Sequence, residues 1–167
     1  EDNHPDIAVS LNNLAHLYSA QYRHREAEIL HLEALNRFRS IFGNEHFYVA
    51  MSLENLGIVY QHQKCYEKAE PLLIQALEMR ERLHGSEHPD VALSLGSLGA
   101  LFEVQECYDK AEPILSRALD ICKRCFGEKH LDVAQNLHTL GKLHKNLRNY
   151  DKAESLYLEA LEIQQYF

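Results

Sequence analysis

The chain has 167 residues, of which 46% are hydrophobic and 25% charged, with 7 Gly and 4 Pro. That composition is globular and excludes a disordered or fibrous chain, and the length suits one domain with a sizeable core. The formal net charge is −8 and no basic run exceeds a couple of residues, which argues against nucleic acid as a partner.

No stretch approaches 18 apolar residues, so no membrane span or membrane partner is expected. The acidic opening, EDNHPDIAV, lacks the apolar region of a signal peptide. Four Cys (Cys65, Cys107, Cys122 and Cys125) with no Asn-x-Ser/Thr sequon read as free thiols in a reducing, cytoplasmic setting. The chain does not begin with Met, and is expected to be an excised piece of a longer protein.

Along the chain one pattern is written four times with a period of 42 residues. His4, His46, His88 and His130 open the copies. Leu14, Leu56, Leu98 and Leu140 recur, as do Ala27, Ala69, Ala111 and Ala153, and then Ala34, Ala76, Ala118 and Ala160. The repeats are 4–45, 46–87, 88–129 and 130–167, within one domain covering 1–167; Gly43, Gly85 and Gly127 close the first three.

Each copy reads as two helices. In the third, Val91, Leu95, Leu98 and Phe102 line one helical face, and Tyr108, Ala111, Leu115, Ala118, Cys122 and Cys125 line another. Gln105 to Cys107 form a tight turn between them. Pro89 and Asp90 suit the first turn of a helix, and Gly127 supplies a left-handed close. Pro71 and Pro113 fall inside the second helices, where a local bend rather than a break is expected. Gly57, Gly99 and Gly141 on the first helices, with the paired Ala on the second, let backbones approach closely. One such hairpin cannot bury its apolar face alone, and stacked hairpins share a core. The recurring residues are therefore structural, and a site belongs where the copies differ.

The series Leu53, Leu56, Gly57, Tyr60, Tyr66, Ala69, Ala76 and Leu77, with the linker GSEHPDVA at Gly85 to Ala92, resembles the tetratricopeptide repeat family. More narrowly it is similar to the subclass of kinesin light chains and nephrocystin-3-like proteins. The resemblance covers the whole chain. It implies an all-α fold, a right-handed superhelix (an α-solenoid) of four helix-turn-helix repeats whose first helices line a groove for a protein or an extended peptide. The family's groove positions fall on Asn12, Asn13 and His16 in the first repeat, and on Met51, Glu54, Asn55, Ile58, Gln61 and His62 in the second. They fall on Ser97 and Glu103 in the third and on His138, Lys142 and Lys145 in the fourth.

An Asn amide can both donate to and accept from a peptide backbone, so Asn13 and Asn55 are candidates for recognition, with a solvated helix face as the alternative. The groove charges, Glu54 and Glu103 against Lys142 and Lys145, sum to zero. The Lys and Arg that clamp a C-terminal carboxylate in the family's co-chaperone class are missing, since those positions hold Asn12, His16, Asn55, Leu93 and Ser97.

The recurrent His fit a turn or capping role better than metal ligation, and no HExxH is present. Cys122 and Cys125 form a lone CxxC inside a helix; Cys125 is expected in the core and Cys122 partly exposed. No catalytic constellation, metal site or cofactor is expected. Two functions follow: a non-catalytic adaptor or scaffold, or a structural spacer that self-associates through an uncapped last repeat, where Leu156, Leu161, Ile163 and Phe167 stand bare.

Overall fold

The computed structural model describes residues 4–166. Among them there are eight helices and no strand: α1 (Pro5–Ala20), α2 (His24–Phe42), α3 (Phe47–His62), α4 (Tyr66–His84), α5 (Pro89–Val104), α6 (Tyr108–Phe126), α7 (Leu131–Asn146) and α8 (Tyr150–Gln165). They form two compact units, Glu1–Gly85 and Ser86–Phe167. In the first, α1 packs on α2, α2 on α3 and α3 on α4; in the second, the same order runs from α5 to α8. Phe167 lies outside the described residues.

The recurrent histidines are caps. The Nδ1 atoms of His4, His46, His88 and His130 accept from the backbone N–H of Asp6, Tyr48, Asp90 and Asp132 at 3.2–3.3 Å. Each satisfies a donor that the first turn of a helix leaves unpaired. Acceptance at Nδ1 requires that nitrogen to carry no proton. Neither Pro71 nor Pro113 ends its helix. The carbonyls each deprives of a partner belong to Glu67 and Asp109, which are exposed to water.

The left-handed residues differ from the sequence expectation. Gly43, Gly85 and Gly127 do have positive φ, 81° to 86°, but Gly127 has ψ 171°, an extended conformation that side chains exclude. The left-handed helical turn lies instead between the two helices of each repeat, on Tyr22, Lys64, Glu106 and Arg148, with φ 59° to 62°. There the next residue's N–H reaches back to the helix, as in Cys65 to the Tyr60 carbonyl at 2.8 Å and Cys107 to that of Phe102 at 2.9 Å. These bonds satisfy helix-end carbonyls.

The close approach expected at the helical glycines is present. A Cβ on Gly57 would stand 2.8 Å from Cγ of Leu73, and one on Gly141 2.8 Å from Cε1 of Tyr157. The recurrent Ala of the second helices are buried, with Leu53, Leu56, Leu95, Leu98, Leu137 and Leu140 packed among them. The CxxC pair is reversed from expectation. Cys122 is buried and accepts from Asn136 Nδ2 at 3.4 Å, because α7 covers that side of α6. Cys125 is exposed, its Sγ 3.1 Å from the Glu87 carbonyl. Burial pushes the Cys122 thiol up to about 11, which leaves it a poor nucleophile.

Candidate peptide-binding surface

In the first unit the expected positions on α1 and α3 separate into two groups. Asn12 is buried: its Oδ1 lies 2.9 Å from His31 Nδ1 and its Nδ2 3.5 Å from Ser52 Oγ. His31, only 1% exposed, stands on α2 where the later copies have Leu73, Leu115 and Tyr157. A bond to Asn12 Oδ1 makes Nδ1 of His31 the protonated nitrogen of a neutral ring. Burial, with the His16 ring edge-on at 5.2 Å, holds His31 down at about 4. His16 itself is exposed, as is Asn13.

On α3, Glu54 is buried and accepts from Arg80 Nη2 of α4 at 2.6 Å. Arg80 was not among the expected site residues. It occupies a packing position held by Phe38 and Cys122 in neighbouring copies, and a charge there calls for a counter-charge. Met51, Asn55, Ile58 and Gln61 are half-buried. Among the described residues Asn55 Nδ2 and Glu54 Oε1 are buried without a hydrogen-bond partner. His62 is exposed and stacks on His24, rings 5.2 Å apart and 7° from parallel. Its partial burial, then His24, lowers its pKa. An open cavity at the α1–α2 turn is lined by Tyr22, Arg23, His24, Arg25, Glu26, Gln63 and Cys65, away from most of the expected positions.

In the second unit Glu103 of α5 is buried and takes Lys142 Nζ at 3.0 Å and Asn146 Nδ2 at 3.1 Å, both from α7. Ser97 is half-buried; His138, Lys142 and Lys145 are exposed, and the His138 ring rests 5.2 Å from that of Tyr157. His144, missed from the sequence, is buried with Nε2 3.4 Å from Glu112 Oε1. Desolvation, then Lys152, lowers its pKa against the opposing pull of Glu112. It sits where the other copies have Tyr18, Tyr60 and Phe102, which is the signal that could have found it.

Among the described residues no helix is long and apolar enough to cross a membrane. Chemically the expected positions offer amides and imidazoles in the first unit, and an imidazole and two lysines in the second, groups that hold polymers by hydrogen bonds and charge.

The tetratricopeptide repeat family model matches residues 48–105 and 97–165, and a second model of the same description matches 7–48. No curated protein sequence matches the chain. Among solved structures, BtubC (BKLC) from P. vanneervenii is 28% identical with a TM-score of 0.85, covering 98% of this chain and 65% of its own. The chain thus spans about two thirds of that relative. A Podosopora anserina kinesin-light-chain candidate with nearly identical TPR-like repeats is 21% identical, TM-score 0.80, over 98% of this chain and 77% of its own. Aspartyl phosphate phosphatase F from Bacillus subtilis is 17% identical, TM-score 0.84, over 99% of this chain and 42% of its own. The last two likenesses concern the fold alone. With the repeat models spanning all four copies and the helix pairs folded as those copies require, the chain belongs to the tetratricopeptide repeat family, a fold that generally serves protein–protein interaction.

Proposed function

We propose that the chain is a non-catalytic adaptor or scaffold module of the cytoplasm. In this proposal residues 1–167 act as one four-repeat domain, and the first helices of each unit hold an extended segment of a partner protein. The observation that carries the proposal is Asn55. Its side-chain N–H group is buried without an acceptor among the described residues, at a cost of about 1–3 kcal/mol. Met51 and Ile58 flank it one turn away on either side of the same helix. The Asn55 nitrogen is closed to water as it stands, so a carbonyl of an extended peptide would become its acceptor on a turn of the half-buried Asn55 side chain that brings the amide to the surface between Met51 and Ile58. Asn13 and Lys145, both exposed, extend the surface in their own units. No cofactor or metal is called for.

The test is enrichment of disordered peptides from a displayed library on the wild-type chain and on an Asn13→Ala, Asn55→Ala double variant. A shared motif that binds the first and loses most of its affinity for the second supports peptide binding. A folded, monodisperse sample that enriches nothing refutes it.

A further inference from the structure

Two histidines that only the first copy carries meet across its hairpin. His16 lies on α1 and His31 on α2, with ring centroids 5.2 Å apart and planes at 80°. The later copies have Ile58, Ala100 and Lys142 at the first position and Leu73, Leu115 and Tyr157 at the second. His31 is oriented in the way that metal-binding imidazoles are. Its Nδ1–H donates to Asn12 Oδ1 at 2.9 Å, and the Asn12 amide in turn reaches Ser52 Oγ at 3.5 Å. A ring fixed through one nitrogen presents the other as a lone pair. That other nitrogen, Nε2, has no hydrogen-bond partner among the described residues, yet it is not one of the buried polar atoms that lack one, so it keeps an opening to solvent. Packing accounts for the Asn12–His31 pair and leaves this lone pair and His16 unexplained.

The spacing suits a shared ion. Two imidazoles bound to one tetrahedral ion, at about 2.0–2.1 Å per bond, stand about 5 Å apart between ring centres. His24 and His62 have the same spacing, 5.2 Å, but lie face to face at 7°, and stacked rings cannot both aim a nitrogen at one ion. His16 is exposed, so it turns about its side-chain bonds without disturbing the packing. His31, held down at about 4, has no proton to lose at pH 7 before it can bind. We propose that His16 and the Nε2 atom of His31 together bind one divalent transition-metal ion of the kind that favours imidazole, such as Zn²⁺. Water fills the remaining positions on the exposed side, and Asn12 is the positioning residue behind His31. The ion ties α1 to α2 within the first hairpin. It is a property separate from peptide binding, which calls for no metal. No sequence motif marks the site, because its two ligands come from different helices.

The test follows the histidine ring nitrogens by two-bond proton–nitrogen NMR while Zn²⁺ alone is added to the nitrogen-labelled chain at pH 7. Nε2 of His31 and one ring nitrogen of His16 shift together and saturate at one equivalent. His16→Ala, at an exposed position, weakens the His31 response by about 100-fold, the worth of a second donor on one ion. His31→Leu, which places the residue of the second and third copies, does the same to the His16 response. Circular dichroism melts without metal confirm that both variants are folded. Zinc that leaves the His31 ring unshifted overturns the proposal. So does a His16 response that survives His31→Leu, which is surface binding by a single imidazole, or a His31 response that is unchanged in His16→Ala.

Discussion

Arg80 and Glu54 form a buried ion pair whose worth can be measured. Arg80 is 2% exposed and Glu54 4%, with Nη2 and Oε2 2.6 Å apart. Two charges in that position have given up most of their hydration, so removing one strands the other. Arg80→Met and Glu54→Leu are each expected to cost about 3–5 kcal/mol, a large share of the 5–15 kcal/mol typical of a domain (a rough range). The double replacement strands nothing and puts an apolar side chain where neighbouring copies already carry Phe38 and Cys122. It should return to within about 1 kcal/mol of wild type or exceed it. The chain has no Trp, so urea unfolding is followed by far-ultraviolet circular dichroism on all four proteins. A cycle in which each single change costs under about 1 kcal/mol and the two simply add would refute the reasoning. The pair would then be screened by water despite its burial.

Four further outcomes follow from other parts of the fold. His31 sits near 4 when folded and near 6.5 when unfolded, so the unfolded chain binds more protons between those values. Its contribution is complete above about pH 6.5 and fades as pH falls to about 4, a loss of about 3 kcal/mol. Urea midpoints at pH 7 and pH 4.5 should show that drop, and His31→Leu should flatten it while His62 and His144, lowered in the same direction, keep a residual slope. Gly99→Ala drives a Cβ into the Leu115 side chain; helix propensity returns up to about 1 kcal/mol of an overpacking cost of about 1–3 kcal/mol, and thermal melts should show a net loss. Gly127→Ala is expected to cost about 1–3 kcal/mol from its backbone alone. By contrast Lys64→Gly, at a left-handed turn with φ 60°, should stabilise by up to about 1 kcal/mol in the same melts.

The helix pairs, the histidine caps and the close approach at Gly57 were all legible because each depends on local chemistry repeated four times. What escaped was set by neighbours from another repeat. Cys122 and Cys125 lie three residues apart, which is only about 60° around a helix, so periodicity places both on one stripe. The docking of α7 decides which is buried. The left-handed turn was hidden for a different reason. It falls on Tyr22, Lys64, Glu106 and Arg148, none a residue that announces positive φ, and the backbone bonds around it hold it there.

The candidate surface exposes a weakness in the rule that function lies where copies differ. At the position shared by Asn12, Glu54 and His138, each departure is matched by another on a second helix: His31 for Asn12, Arg80 for Glu54 and Tyr157 for His138. Lys142 is likewise answered by Glu103 and His62 by His24. Variation that is compensated inside the chain reports how a repeat keeps its own helices together, and selection on a ligand is not needed to explain it. The variation left over is the informative part. Asn13 and Lys145 have no side-chain partner among the described residues, and Asn55 keeps a buried donor without an acceptor. On the proposed function these uncompensated groups are the ones a partner protein would meet, each in its own unit, and substitutions at Asn12 or Glu54 would weaken its binding only by loosening the helices beneath them.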